Sequence, residues 1–515
     1  MFRSGGHNEV GEEEVELLPT TVSARPRVDR FWRTAARGFA KPHTTSTIAL
    51  VGILVFALLL PSPLTWGTSE ALPRNVTRPI NGTHGHRPPS SESSSLRGTL
   101  EWATQENKEL ISSIFVPLPV RECTITTPAW FAPCAARRML VPSLYAEELI
   151  YPDFGLTLPV FVNDEQRSLW LEAAEKVDRM RYEARGKEEY MLYSGQHGQN
   201  FVLHNVSFIP PGMDSWVPTA CGVDGTTLSS LAVQPLPSNS EPSTSAILVS
   251  TPDSWSFQHF LDRATHVVGQ ASHLLFTSPD TLALTGRAGK KIVQEMWTRM
   301  GFADERVIHH PRQRMELAQL VFACKSVLIH PYLSWRSAEM LGMPWAKGRR
   351  HPFDTSSKKV VMYMSRSDGR ANNGGRRVLN EPAVLAAIES LLETRGRGER
   401  LQLFDPSKFP NVSALIETFS RDVAAVVGPH GGSLMNHRFA GPDTLVLEFL
   451  PTTRMEVINF EETSMLNQTY AAIVTPGIGA SHDMEVDAAD VVKLLSERLG
   501  KPGKSVLMPY QWVKE

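Results

Sequence analysis

Three stretches of this chain hold residue types whose spacing suits chemistry. The first reads VVGPHGGSLMNHRF, residues 426–439. An apolar run ends in Pro-His-Gly-Gly, and a helical pattern starts at once. Gly428, Gly431 and Gly432 free the backbone for a tight turn, and Ser433 is placed to cap the helix that runs toward Ala440. The unpaired N–H groups and partial positive charge of a helix start suit a phosphate, and His430 adds a donor for a diphosphate or leaving group. The same residues also make an ordinary strand-to-helix turn with no ligand. Gly-x-Gly-x-x-Gly is absent and so is a Walker lysine, which excludes the common dinucleotide and P-loop fingerprints.

The second stretch is MSRSDGRANNGGRRVLNE, 364–381. Glycines let a loop approach an anion closely, and Arg366 and Arg370 could grip phosphate oxygens in pairs. Arg376 and Arg377 flank the helix that follows. The competing reading is a solvated basic loop. The third stretch is SFQHFLDR, where His259 and Asp262 sit three residues apart on one helix face. Either could act as general base on an acceptor hydroxyl, or the histidine could be a structural hydrogen bonder. Glu448 lies inside the apolar run TLVLEFLP. A charge there must be paired or sit at a strand end facing a ligand, which leaves a contact to ribose or sugar hydroxyls and a plain exposed strand end both open. No Asp-x-Asp pair occurs. That favours a diphosphate site built from arginines and helix starts, with no metal required.

These residues need elements to hold them. From residue 246 onward, apolar runs alternate with helical periodicity. SAILVS, HLLFTS and ERVIHH read as strands, and SFQHFLDRATHVVGQ and RAGKKIVQEMWTRMG as helices. A polar, basic break over 346–357 reads as a linker. Beyond it KKVVMYMS, RLQLFD, VAAVVGP, TLVLEFLP and TYAAIVTP are strands. The helix NEPAVLAAIESLLETRG carries Asn380 at its expected N-cap, Pro382 in the first turn and Gly396 as terminator. Residues 100–209 alternate less cleanly. Their expected elements are a strand at LTLPVFV and a helix over EQRSLWLEAAEKVDRMRYEA. Strands alternating with helices imply parallel sheets covered on both faces, with ligands at the carboxyl ends of strands. The expected organisation is therefore two doubly wound, Rossmann-like domains facing a cleft, 100–345 and 358–515.

The bulk composition agrees with a globular protein. The chain has 515 residues, a net charge of -2 and 42% hydrophobic residues. That length exceeds one core, and near-neutrality leaves no footprint for nucleic acid. Ile48–Leu60 is unbroken apolar sequence. With mild flanks over 44–66 it reaches the roughly 17–20 residues that span a bilayer. Arg25, Arg27, Arg30, Arg33, Arg37 and Lys41 precede it, so the positive-inside rule leaves 1–43 in the cytosol and the rest in a lumen. Residues 67–99, rich in Ser, Pro, Gly and Thr, read as a flexible stem. Sequons at Asn75, Asn81, Asn205, Asn411 and Asn467 fit a lumenal body, as do four cysteines. Cys123 and Cys134 are the expected disulfide, since the loop between them is short. The short span suits a Golgi or endoplasmic-reticulum membrane.

The blocks RSDGR…RRVLNEPAVLAAI, LQLFD and AAVVGPHGGSLMNHRFAGPDTLVLEFLP resemble the signature of glycosyltransferase family 61. His430, Gly431, Leu434 and Asn436 match its Gly-x-His-Gly-Ala-Gly-Leu-Thr-Asn run. Gly432 stands for the usual Ala, Ser433 for Gly and Met435 for Thr. SFQHFLDRA resembles the family's His-Phe-x-x-Asp segment. The resemblance covers about 250–475 and implies an inverting transferase of the GT-B type. It would use a UDP-sugar (N-acetylglucosamine, xylose or arabinose) as donor, without a prosthetic group, and a glycan or glycoprotein as acceptor. In that reading His259 and Asp262 serve the acceptor. Arg366, Arg370, Asn380, His430, Gly431, Gly432, Ser433, Asn436 and Glu448 serve the donor. The rival expectation is a lumenal sugar-binding protein that kept the fold without catalysis.

Overall fold

The computed structural model describes residues 120–123, 132–141, 143–210, 233–277, 280–347, 358–367, 374–503 and 505–507. The architecture is mixed α/β, with one parallel sheet and one mixed sheet of Rossmann-like character, and a small antiparallel sheet beside them. Ile48–Leu60, the stem and most of the 346–357 linker lie outside the described residues. Among the described residues no helix is long and apolar enough to cross a membrane.

The second half holds the simpler sheet. Its five strands are Val360–Tyr363, Arg400–Leu403, Val423–Pro429, Leu445–Pro451 and Thr469–Thr475, all parallel, in the spatial order second, first, third, fourth, fifth. The strands are Val-, Leu- and Ala-rich because helices cover both faces. Glu381–Arg395 closes on Gly396 in the left-handed conformation (φ 60°), where a side chain would be strained. The order reverses between Val360–Tyr363 and Val423–Pro429. In a sheet of this order the crevice at that reversal, at the carboxyl ends, is where ligands bind.

The first half has a parallel centre. Ser245–Val249 runs between Met315–Lys325 and Leu282–Thr285, with Val307–His309 outside. It is not wound to its far edge. His197–Phe208 pairs antiparallel with Met315–Lys325, and Leu144–Ile150 and Cys134–Val141 extend the sheet by antiparallel pairing. Cys123 and Cys134 are disulfide-bonded, and Cys324 is not free either.

Besides LTLPVFV, where the strand is Phe154–Thr157 and Val160 forms only an isolated bridge, three segments depart from the expected elements. HLLFTS is a tight helical turn, Ser272–Thr277, and not a strand. His273 Nε2 meets Glu147 Oε1 at 2.5 Å and Ser272 Oγ donates to Gly269 O, which carries the preceding helix onward. The strand comes later, at Leu282–Thr285. Three apolar residues in a row do not by themselves separate helix from strand. The helix in the 165–184 stretch stops at Ala174, and Arg181–Arg185 is a strand. Arg179 is pulled between them to the buried Glu461 (Nε–Oε1 2.6 Å). A helix over Ile458–Met465 matches no apolar period, because Asn459, Glu461, Glu462, Thr463 and Ser464 are all buried in it.

The two halves share one core. Phe257 packs edge-on against Phe439 (6.0 Å), Phe439 against Phe419 (6.4 Å), and Trp345 Nε1 donates to Phe439 O. The first half also wraps the second. Val160 bridges Ala471 at the outer edge of the five-stranded sheet, and Gln166 Oε1 accepts from Val474 N–H. An otherwise open strand edge is thereby covered. Phe439→Ala, which empties a fully buried ring site between the halves, should cost about 3–5 kcal/mol. Calorimetry should still show one cooperative transition for both halves, at lower temperature. Two resolved transitions would mean the core is not shared.

Candidate functional site

The Val423–Pro429 strand passes its neighbour closely. A Cβ on Gly428 would lie 2.7 Å from Met364 O, so glycine is required at the strand's exit. His430 follows, its N–H bonded to Phe449 O at 3.0 Å. Its Nδ1 lies 2.6 Å from Glu448 Oε1. Glu448 is wholly buried. Its carboxylate also accepts from Asn459 Nδ2 (2.5 Å) and from Tyr470 OH. Burial, then the Glu448 charge, hold the Tyr470 phenol well above its usual range, so it stays a donor. A carboxylate surrounded in this way only accepts, which assigns the proton of the pair to His430 Nδ1. Nε2 is left with no partner among the described residues. Glu448 is thus not the exposed strand end that the sequence left open. It is shut off from solvent, and it fixes the ring of His430.

Arg366 leaves the neighbouring strand and lies against Gly431, where a Cβ would collide with its Nη1. Its Nε and Nη2 donate to the carbonyls of Gly375 (2.9 Å) and Gly374 (3.1 Å). Gly374, Gly375 and Arg376 are all left-handed (φ 54°, 64° and 57°), a costly conformation for an arginine. The coil turns Arg376 inward and Arg377 outward. Arg377 pairs with Asp483 (Nη2–Oδ2 2.7 Å). Arg376 is 3% exposed, and no side-chain hydrogen bond or ion pair to it occurs among the described residues. Burial, and the Arg366 and Arg454 charges, push its guanidinium down to about 10. The Glu456 and Glu448 carboxylates offset part of that, and a buried guanidinium with no hydrogen-bonded partner among the described residues, beside a second one, is an arrangement that an anion would complete. Sequence spacing did not single Arg376 out. Its backbone strain decides which of two adjacent arginines faces in.

The expected helix after the turn is two short pieces, a tight turn over Gly432–Asn436 and a helical turn over His437–Ala440. Ser433 makes no capping bond there, and its O accepts from Asn436 Nδ2 at 2.7 Å. So short a helix adds little macrodipole, and the positive charge of this corner is mainly that of arginines.

His259 and Asp262 arrive from the other half. Ser256 caps the helix start and accepts from His259 N–H. The backbone widens over Phe260–Ala264, where Thr265 N–H bonds Phe260 O five residues back. Such wide turns recur at functional sites. This one buries Phe260, Leu261 and Asp262 in succession. His259 Nδ1 lies 3.3 Å from both oxygens of Asp262. The neighbouring Gln258 lies against the turn: a Cβ on Gly432 would meet its Oε1 at 3.0 Å. The sequence-selected His259 and the Gly431–Gly432 turn are therefore brought to the same corner.

The remaining sites scatter. Asn380 Nδ2 donates to Val486 O (2.8 Å) and its Oδ1 accepts from Val486 N–H (3.0 Å). Both polar ends are consumed in tying down the 481–486 segment. Asn205 and Asn411 are exposed and Asn467 is half-buried. Arg370, Asn75 and Asn81 lie outside the described residues. The sequence reading missed Asn459 and Tyr470, which hold Glu448. The run VINFEETSMLN, with two adjacent carboxylates among apolar residues, was the available signal.

The family model Glycosyltransferase 61 matches residues 242–447, the span that holds His259, Arg366, Arg376 and His430. No curated protein matches the chain.

Removing the Glu448 carboxylate orphans three buried donors at about 1–3 kcal/mol each before relaxation. Glu448→Ala should therefore lower unfolding stability by about 2–4 kcal/mol, and Tyr470→Phe by about 1 kcal/mol, in urea titrations. Equal effects from the two would mean the carboxylate is not the centre of the cluster.

Proposed function

We propose, for a chain whose residues 242–447 match the glycosyltransferase 61 family model, that it moves a sugar from a UDP-sugar to a hydroxyl of a glycan or glycoprotein acceptor. The transfer inverts the anomeric centre, and the two halves act in the GT-B manner. Glycosyltransferase activity is what the family match supports. The observation that supports the finer reading is the approach of Gln258, the residue next to His259, to Gly432.

In this mechanism Arg366 and Arg376 hold the donor diphosphate and oppose the charge that grows as UDP leaves, and Arg370, from the same sequence stretch, is assigned to the donor as well. Gly431 and Gly432 let that group approach the backbone, and His430, when its ring carries a proton on both nitrogens, donates Nε2–H to it while Glu448 holds Nδ1–H. His259 Nε2 takes the proton of the attacking hydroxyl. Asp262 holds Nδ1–H and stabilises the imidazolium that forms, as an acid does behind a histidine base. A single displacement from the opposite face inverts the sugar. The arginines supply the positive charge, so this chemistry needs no metal. We place the chain as a single-pass type II protein of the Golgi or endoplasmic-reticulum membrane with a lumenal catalytic part. The Ile48–Leu60 run, the basic residues before it and the Cys123–Cys134 bond support that placement.

A panel of UDP-sugars offered with oligosaccharide and glycopeptide acceptors tests the reading. His259→Ala should lower kcat about 10²–10⁴-fold with little change in donor KM. Arg376→Ala should weaken UDP binding about tenfold or more, the loss of one charge-assisted contact. Near-normal transfer by both variants would overturn it. Binding of UDP without transfer to any acceptor would instead favour the sugar-binding protein.

A further inference from the structure

Besides the donor and acceptor groups, the described residues contain a second buried polar chain, and it runs between the halves. His266 lies seven residues after His259 in the same helical stretch, and it is wholly buried. Its Nδ1 lies 2.6 Å from Leu328 O. A carbonyl only accepts, so Nδ1 carries the proton and Nε2 presents a lone pair. Arg438 meets that lone pair with Nη2 at 3.3 Å and Nη1 at 3.5 Å. Arg438 is 2% exposed and sits on the helical turn that follows His430 and the glycines. The same Nη1 donates to Glu462 Oε2. Glu462 is fully buried on the Ile458–Met465 helix. Three residues before it, on the same helix face, Asn459 holds the Glu448–His430 pair.

We propose that Arg438 is a positioning residue: by bridging His266 of the first half to Glu462 of the second, it fixes the separation of His259 from the turn at His430. The proposal rests on the transferase reading, in which those two histidines flank the reacting atoms. Its geometry has three parts. The Arg438 fork reaches two acceptors at once on two different elements. One acceptor is rigidly joined to the residue proposed as base. The other is rigidly joined to the group that orients His430. A lysine ammonium is a single point charge on a flexible stem and does not span both. The groups facing Arg438 are His266 and Glu462 by contact. The charges of Asp262, Glu461 and Arg179 reach Glu462 as well. Arg179 and Tyr193 bind Glu461 on another face of the same helix (Nε–Oε1 2.6 Å; OH–Oε1 3.0 Å), so the Ile458–Met465 helix is held from two directions.

The test is Arg438→Lys in the full chain. A misplacement of about 1 Å between reacting groups costs on the order of 10²-fold in rate. Transfer kcat should therefore fall about 30- to 100-fold. The Kd for UDP, whose proposed contacts lie in the second half alone, should stay within about twofold by titration calorimetry. Spin labels at Glu305→Cys and Glu393→Cys, exposed positions on the two halves, should give one narrow distance in the parent and a broadened or shifted one in Arg438→Lys. The Arg438→Gln/Glu462→Gln pair keeps uncharged hydrogen-bonding groups in place and should restore part of both readouts. Unchanged distance and unchanged kcat per folded molecule overturn the proposal, even if the melting temperature falls. Absence of transfer by the parent chain would instead overturn the transferase reading. The spin-label distance would then still decide whether Arg438 sets the separation.

Discussion

A carboxylate that never meets water organises this molecule. Glu448 sits in the middle of a parallel strand, where an unpaired charge would be untenable. Its oxygens are therefore surrounded by donors from three other elements: His430 from the preceding strand's exit, Asn459 from a helix and Tyr470 from the next strand. Each donor is fixed in turn by its own element. The cost of burying one negative charge is offset by hydrogen bonds whose by-product is a histidine with a single ring orientation, its free nitrogen at the switch point of the sheet.

The same economy of placement explains the basic corner. Helix starts commonly hold phosphates through the macrodipole, but the pieces after Gly431 are five and four residues long and carry little of it. Charge comes from arginines set by backbone conformation. Arg366 is clamped by two glycine carbonyls, and the left-handed run that supplies those carbonyls also throws Arg376 inward beside it. Gly431 leaves the room that Arg366 occupies. The glycines serve close approach, and the arginines make approach by an anion favourable.

The two halves are not independent bodies that happen to face one another. A continuous apolar core joins them, Val160 and Gln166 bond the second half's outer strand, and Arg438 and Arg179 pair with the buried Glu462 and Glu461 of one helix. Such interfaces are stiff, because moving them would strand charges in a low-dielectric interior. Stiffness suits a site whose parts come from different halves and must meet within fractions of an ångström.

Local sequence determined a good deal. The apolar runs and helical periods of the second half set five parallel strands and their helices nearly to the residue, because strands buried on both faces are continuously hydrophobic and helix ends carry Asn, Pro and Gly for backbone reasons. The glycine turn at His430, the Arg366 loop and the His259–Asp262 pair were legible for the same reason: their chemistry needs those residue types at short spacing. What local sequence did not contain is anything decided by partners far along the chain. HLLFTS read as a strand, and His273 meeting Glu147 made it a helical turn instead. Arg376 and Arg377 were equivalent until the backbone turned one of them inward. Glu448 could have been an exposed strand end until Asn459 and Tyr470 enclosed it. The polar helix Ile458–Met465 had no apolar face to announce it, since its buried side is made of charges whose partners, Arg179 and Arg438, come from separate elements. The tertiary structure alone decided these, because whether a polar group is satisfied in the interior depends on which groups the fold brings to it.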